Sequence, residues 1–398
     1  MSQLPSPTKH NKGLSDEVTR QATIEHLRAH LGVEVRGTKA STEMVLEVLV
    51  HAAVNGQSIE ASCAALAGSA DSNTLRGYVN EAFGEGLLDE VEERVNQALV
   101  SELPKKAKRK PQEIVIDLHD QAFYGKAEGL LKYASRGQAK AGTTHFYRIA
   151  SAYLIHQGLR FTLAVVFVHS GMSLAQCIVR LLNRLKAQKL KLGCLFLDRG
   201  FAGIEVYQCL QRRRIPAIIA CPIRGKDKGT RALCHGRCSY LTRYTFQSQD
   251  QGRWTTLVAV VRTYTQTGKR GHSKQRKAAW FLYVLIALQL SPQAVHARYR
   301  YRFGIETSYR QMRQVRARTN SRNPVLRFLF MALAFILLNL WLVLRFRFCQ
   351  RPTQGRAGRS LFQARFRLAR FASFLAQAIE RIYGTVLAIA AHSLPLGL

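Results

Sequence analysis

Glu306 is the only acidic residue between Asp250 and Glu380. It lies in the run Tyr299–Arg313, YRYRFGIETSYRQMR, which reads as a helix opened upstream by Ser291 as N-cap and Pro292 as first helical residue. At helical spacing Tyr299, Arg302, Glu306 and Arg313 fall within roughly 60° of one another. One face therefore carries a carboxylate, two guanidiniums and a phenol. An ion pair would account for a lone carboxylate among cations. A magnesium site acting on phosphates needs the same surroundings, because the cations hold the phosphates on which the metal acts. Asp117 and Asp198 could share such a site. Each ends an apolar run, Glu113–Leu118 and Leu192–Leu197, and is expected at the C-terminal end of a strand. Asp120 is a rival to Asp117, expected in the turn after the strand. Taken singly, each aspartate could be a turn cap or a surface ion pair.

The charge distribution favours such a site. The 398 residues carry a net charge of +34, which calls for a polyanionic partner. Residues 1–110 hold 13 Lys or Arg against 15 Asp or Glu, whereas residues 111–398 hold 46 against 10. The nucleic-acid surface is thus expected mainly on the later part. The eight cysteines are dispersed and read as reduced thiols. Cys234 and Cys238 form the one close pair, too few ligands for a structural zinc.

The elements that must position these residues follow in order. Residues 1–103 read as helical, with helices after Ser41, from Ser58 to Gly68, and from near Asn73. The last two could form a helix-turn-helix reader or belong to a small packing bundle, and the acidic balance of the region leaves both open. Lys105–Lys110, between Pro104 and Pro111, reads as an exposed basic linker over 104–111. Strands are expected at 113–118, 144–155, 158–168, 192–197 and 216–223, with helices at 173–190 and 203–214. Residues 224–276 interrupt this rhythm with short strands and a basic loop, before a strand at 278–286. Val325–Leu344 is apolar and long enough to span a bilayer. Arg327, Asn339 and the cationic flanks assign it instead to a buried helix packed on the sheet, with no membrane partner. Residues 346–398 form a basic helical C-terminal region.

The spacing Tyr-x2-Arg-x3-Glu-x6-Arg, with Phe196–Phe201 (FLDRGF) and Ile116–Asp120 (IDLHD), resembles the signature of insertion-sequence DDE transposases, in which Lys usually stands at the last position. The resemblance implies an α/β fold: an RNase H-like mixed-sheet core over 112–345 with a short β-rich insertion at about 224–276, beside the N-terminal all-helical domain. It implies Asp117, Asp198 and Glu306 as catalytic and metal-binding acids for two Mg²⁺ ions, with Mn²⁺ as substitute. Tyr299, Arg302 and Arg313 would contact DNA. Trp280, with Trp254 as runner-up, would receive a flipped base. The implied activity is cleavage at element ends and strand transfer into target DNA by a cytoplasmic, nucleoid-associated homodimer that binds terminal inverted repeats. A captured, non-catalytic DNA-binding derivative is the alternative.

Overall fold

The computed structural model describes residues 4–6, 13–104, 108–125, 128–140, 142–156, 159–267, 275–300, 305–352, 359–361 and 366–388. Contacts divide the chain into two units: Met1–Leu103 with Tyr309–Leu398, and Pro104–Ser308.

The N-terminal part of the first unit is helical: α1 (Asp16–Leu31), α2 (Thr42–Val54), α3 (Ile59–Ala65), α4 (Ser72–Ala82) and α5 (Leu88–Ser101). Each early helix starts where a side chain can satisfy an orphan N–H. Ser41 Oγ accepts from Met44 N–H at 3.1 Å, Ser58 Oγ from Ala61 N–H at 3.1 Å, and Asp71 Oδ1 from Asn73 N–H at 2.8 Å. Gly32 stops α1 at φ 64°, a left-handed position that favours glycine.

The second unit is built on one mixed sheet. Its strands are β1 (Gln112–Ala122), β2 (Ser135–Lys140), β3 (Thr143–His156), β4 (Leu159–Val168), β5 (Leu192–Leu197), β6 (Ala217–Cys221), β7 (Tyr240–Ser248), β8 (Gly252–Thr267) and β9 (Gln275–Ile286). The order is β2-β3-β1-β5-β6-β9-β8-β7, with β4 also beside β3. β1, β5 and β6 are mutually parallel, and the others pair antiparallel. This is the α/β mixed sheet that the resemblance implied. Helix α6 (Leu174–Ala187) starts in a capping box formed by Ser173 and Gln176 and turns Cys177, Ile178, Leu181 and Leu185 inward. Helices α7 (Ile204–Arg212), α8 (Pro292–Arg300) and α9 (Ile305–Gln314) follow, and the division between units falls within α9.

Three details depart from expectation. β1 runs on past Asp117 to Ala122, because its antiparallel pairing with β3 continues to Ala122 opposite Phe146. Asp120 therefore lies in the strand and not in a turn. β2 (SRGQAK) has no apolar alternation, and its pairing with β3 holds it. The strands expected to interrupt the core instead prolong its sheet: β8 pairs with β9 from Leu257–Leu285 to Thr267–Gln275.

The chain returns to the helical unit with α10 (Pro324–Phe348) and α11 (Leu368–Tyr383). Within its unit α10 packs among helices, chiefly α5, and 94% of its most apolar window is buried. Asn339, the polar residue within it, donates to Leu99 O at 2.9 Å. Buried Glu47 is met by Arg20 and by the hydroxyl of Tyr383, so α1, α2 and α11 share one polar cluster. Gly68 N–H donates to Tyr383 O at 2.7 Å, and Ala67 N–H to Gly384 O at 3.1 Å. Segments more than three hundred residues apart thus close one core.

His26 donates through Nε2 to Ala98 O at 3.1 Å inside this core. Burial, with His30 beside it, drops its imidazole to about 3 from 6.5. A folded-state value below the unfolded one contributes stability above about pH 6.5, which is lost as the pH falls toward about 3. We expect urea midpoints to decline over that window. In His26→Leu the decline should be shallower, at a cost of about 1 kcal/mol at neutral pH for the lost hydrogen bond.

Candidate active site

Ile116 of β1 and Leu197 of β5 are the last pair of a parallel ladder. One residue further, the two chains present Asp117 and Asp198. Neighbouring strands lie about 4.8 Å apart, and register partners in a parallel pair project to the same face. The two positions are therefore neighbours where the β1–β5 ladder ends. Asp120, an odd number of residues from Asp117, projects to the opposite face. It is engaged by Arg148 across the β1–β3 ladder, at 2.7 and 3.1 Å.

The sequence after Asp198 explains how that aspartate is held. Asp198 is extended at φ −83°, ψ −178°, and its Oδ1 accepts from Gly200 N–H at 2.8 Å. A Cβ at position 200 would stand 3.0 Å from Oδ1, so glycine keeps the space beside the carboxylate open. Phe201 is fully buried, and its N–H donates to Asp198 O at 3.1 Å, pinning the short 3-10 turn. Arg199 is left exposed. The motif Asp-Arg-Gly-Phe thus gives a fixed carboxylate, an outward cation, room beside the acid and an anchor.

Helix α8 is tied to both aspartate strands. The Tyr299 hydroxyl donates to Leu197 O at 3.0 Å, directly before Asp198, and the side chain is only 4% exposed. Its ring packs against Phe196 and Tyr283, with centroids 6.4 and 4.9 Å away. Arg298 holds Glu113 on β1 at 2.6 and 3.0 Å. Tyr283 and His296 meet at 2.8 Å and fasten the helix to β9. The expected cap is present, since Val295 N–H donates to Ser291 O at 3.0 Å and Ala294 N–H to Ser291 Oγ at 3.3 Å.

A cavity of about 220 Å³ opens beside Asp198, lined among others by Arg199, Cys221, Trp280, Tyr283 and Tyr299. Burial pushes the Cys221 thiol up to about 12, so it is protonated at neutral pH. Burial also raises the Tyr283 phenol. Trp280 lies on the wall of this cavity, with the Arg262 guanidinium 5.4 Å over its ring. Trp254 lies on β8 opposite Phe246 and does not line the cavity.

The remaining expected site residues fall partly outside the described residues. Residues 301–304, including Arg302, are not described, nor is the side chain of Glu306 on α9. Arg313 is exposed in the last turn of α9. Among the described residues no three His, Cys, Asp or Glu side chains form a metal-binding group. The pair Asp117 and Asp198 nonetheless suits a hard divalent cation. Both supply carboxylate oxygen, and the space at Gly200 lies open beside one of them. Sequence reasoning assigned no role to Arg199, Glu113 or Arg298. Arg199 could have been noticed from its place next to Asp198, whereas nothing in the sequence joins Glu113 to a residue so distant along the chain.

Residues 108–340 match the family model described as transposase DDE domain. No curated protein matches the chain.

Proposed function

The chain belongs to the transposase DDE-domain family, and we propose that it acts as an insertion-sequence transposase, cleaving DNA at its element's ends and joining the freed 3′-hydroxyls to target DNA. The adjacency of Asp117 and Asp198 at the parting of two parallel strands carries this reading. The family uses divalent metal. Here Asp117, Asp198 and Glu306 would hold Mg²⁺, with Mn²⁺ as substitute, and the bound ions supply Lewis-acid stabilisation of the phosphate.

The chain's own residues do the positioning. Water attacks the phosphorus at the element end, and the 3′-oxygen leaves and takes up a proton. That 3′-hydroxyl then attacks a target phosphate, exchanging one phosphodiester for another with no external energy source. Arg199, Arg302 and Arg313 hold phosphates, the arginines being suited to bidentate contact. Trp280 offers a stacking face for an extruded base beside Asp198. Tyr299, whose hydroxyl is engaged on Leu197 O, sets the strand end that carries Asp198 and does not reach for a phosphate. Two element ends must be held together for joining, which favours a homodimer on terminal inverted repeats in the cytoplasm, at the nucleoid.

The test is a supercoiled donor plasmid carrying the DNA that flanks the coding region on both sides, incubated with Mg²⁺ or Mn²⁺. Joined donor–target products are expected. Nicks without joining would indicate a nuclease, and duplex binding without any cleavage would indicate a captured DNA-binding protein.

A further inference from the structure

The N-terminal helices pose a problem of charge. Residues 1–103 hold 8 Lys or Arg against 15 Asp or Glu, a poor composition for a DNA reader. The structure supplies cations from elsewhere in the sequence. Residues 309–322 (YRQMRQVRARTNSR) contain five arginines and no acid. The end of this segment is laid on the N-terminal helices: Arg318 N–H donates to Gln57 O at 2.9 Å, and the Asn323 side chain donates to Phe83 O at 2.9 Å. Between segment and helices lies a groove of about 400 Å³. Arg76 and Asn80 of α4 line it on one side, Arg318, Asn320 and Ser321 on the other, with Glu60 as its carboxylate.

Two further observations point to a polyanion. Arg316 has its guanidinium pulled below the ordinary arginine range by burial and by Arg313 and Arg327 beside it. No carboxylate among the described residues pairs with Arg313, Arg316 or Arg318. Like charges crowded in this way are relieved by phosphates. The outer face of α4 is also shaped for close approach. Asn73, Arg76, Gly77 and Asn80 are exposed along it, and nothing stands within 4 Å of where a Cβ on Gly77 would be.

We propose that α4 and the segment Arg316–Arg322 form one binding site for duplex DNA. Arg76 and Arg318 hold the sugar-phosphate backbone along the groove, and Asn80 reads a base edge in the major groove, an amide being suited to adenine. The helix-turn-helix reading of the N-terminal region is thereby completed by cations more than two hundred residues away. The proposal rests on the transposase reading only for naming DNA as the partner.

The experiment measures binding of the full chain, without divalent metal, to a short duplex selected from a random library and to an unselected duplex of the same length, across a salt series. Arg76→Ala and Arg318→Ala are each expected to weaken both duplexes alike and to reduce the salt slope by about one. Arg318→Lys should restore the slope. Asn80→Ala should weaken the selected duplex by about 5- to 150-fold and leave the unselected one unchanged. Unchanged slopes in both arginine variants, or an Asn80→Ala loss equal on the two duplexes, would overturn the site. Because no metal and no cleavage enter the assay, a chain that binds in this way yet never cuts would remove the proposed activity and leave this site standing.

Discussion

Exchange of Asp198 for alanine is expected to lower strand cleavage by about a thousandfold while leaving duplex affinity within a few-fold of wild type. The magnitude follows from loss of a preorganised charge at the reacting phosphate. Asp117→Ala should fall as far, and the double variant should fall little further, because groups that act as one unit are not additive. Asp198→Asn separates charge from shape: it can still accept from Gly200 N–H but removes a negative ligand, and it should be nearly as inactive. Asp120→Asn is the control. Its partner Arg148 lies in a partly exposed pair, and such pairs contribute about 0–1 kcal/mol. Nicking of supercoiled donor and anisotropy of labelled duplex, measured on the same preparations, check all five. A dead Asp120→Asn beside an active Asp117→Ala would sink the assignment.

The second large effect is expected at Tyr299. Tyr299→Phe keeps the buried ring but removes the hydroxyl's hydrogen bond to Leu197 O, at a stability cost of about 0.5–1.5 kcal/mol. Outer-shell partners of metal ligands act through orientation, and their loss lowers metal affinity or activity by about 10- to 100-fold. Cleavage by Tyr299→Phe should therefore fall by that factor at limiting Mg²⁺ and recover as Mg²⁺ is raised, with duplex affinity unchanged. A phosphate-contacting tyrosine would give the reverse: weaker duplex binding and an unaltered metal requirement. The metal titration thus separates positioning from DNA contact.

Strands β1 and β5 were legible because Glu113–Leu118 and Leu192–Leu197 are apolar runs; Asp198 directly follows the end of β5, whereas Asp117 lies inside β1. The extent of β1 was not legible. Leu118–Ala122 has no apolar pattern of its own, and its conformation is imposed by β3 across the ladder. The role of Tyr299 was hidden for a related reason. Helical periodicity puts its phenol on a face with two arginines, but the acceptor that claims it is a backbone carbonyl about a hundred residues earlier. The helical partner of α10 was not legible either. A helix apolar on every side names no preferred neighbour, and only the tertiary structure shows that α5 is its main partner.

The helical unit is closed by contacts between the first and last stretches of sequence, with Asp16 bonded to Arg381 and Leu66 bridged to Thr385. On a translating ribosome its early helices must wait for partners nearly three hundred residues downstream. At about 5–20 residues per second that is a delay of roughly 15–60 s. The sheet unit, continuous from Pro104 to Ser308, can mature within that interval. A message cut short after the sheet would thus release the aspartate-bearing core with its amino-terminal helices unclosed. Closure of the helical half thus follows synthesis of the segment that carries Arg381 and Thr385.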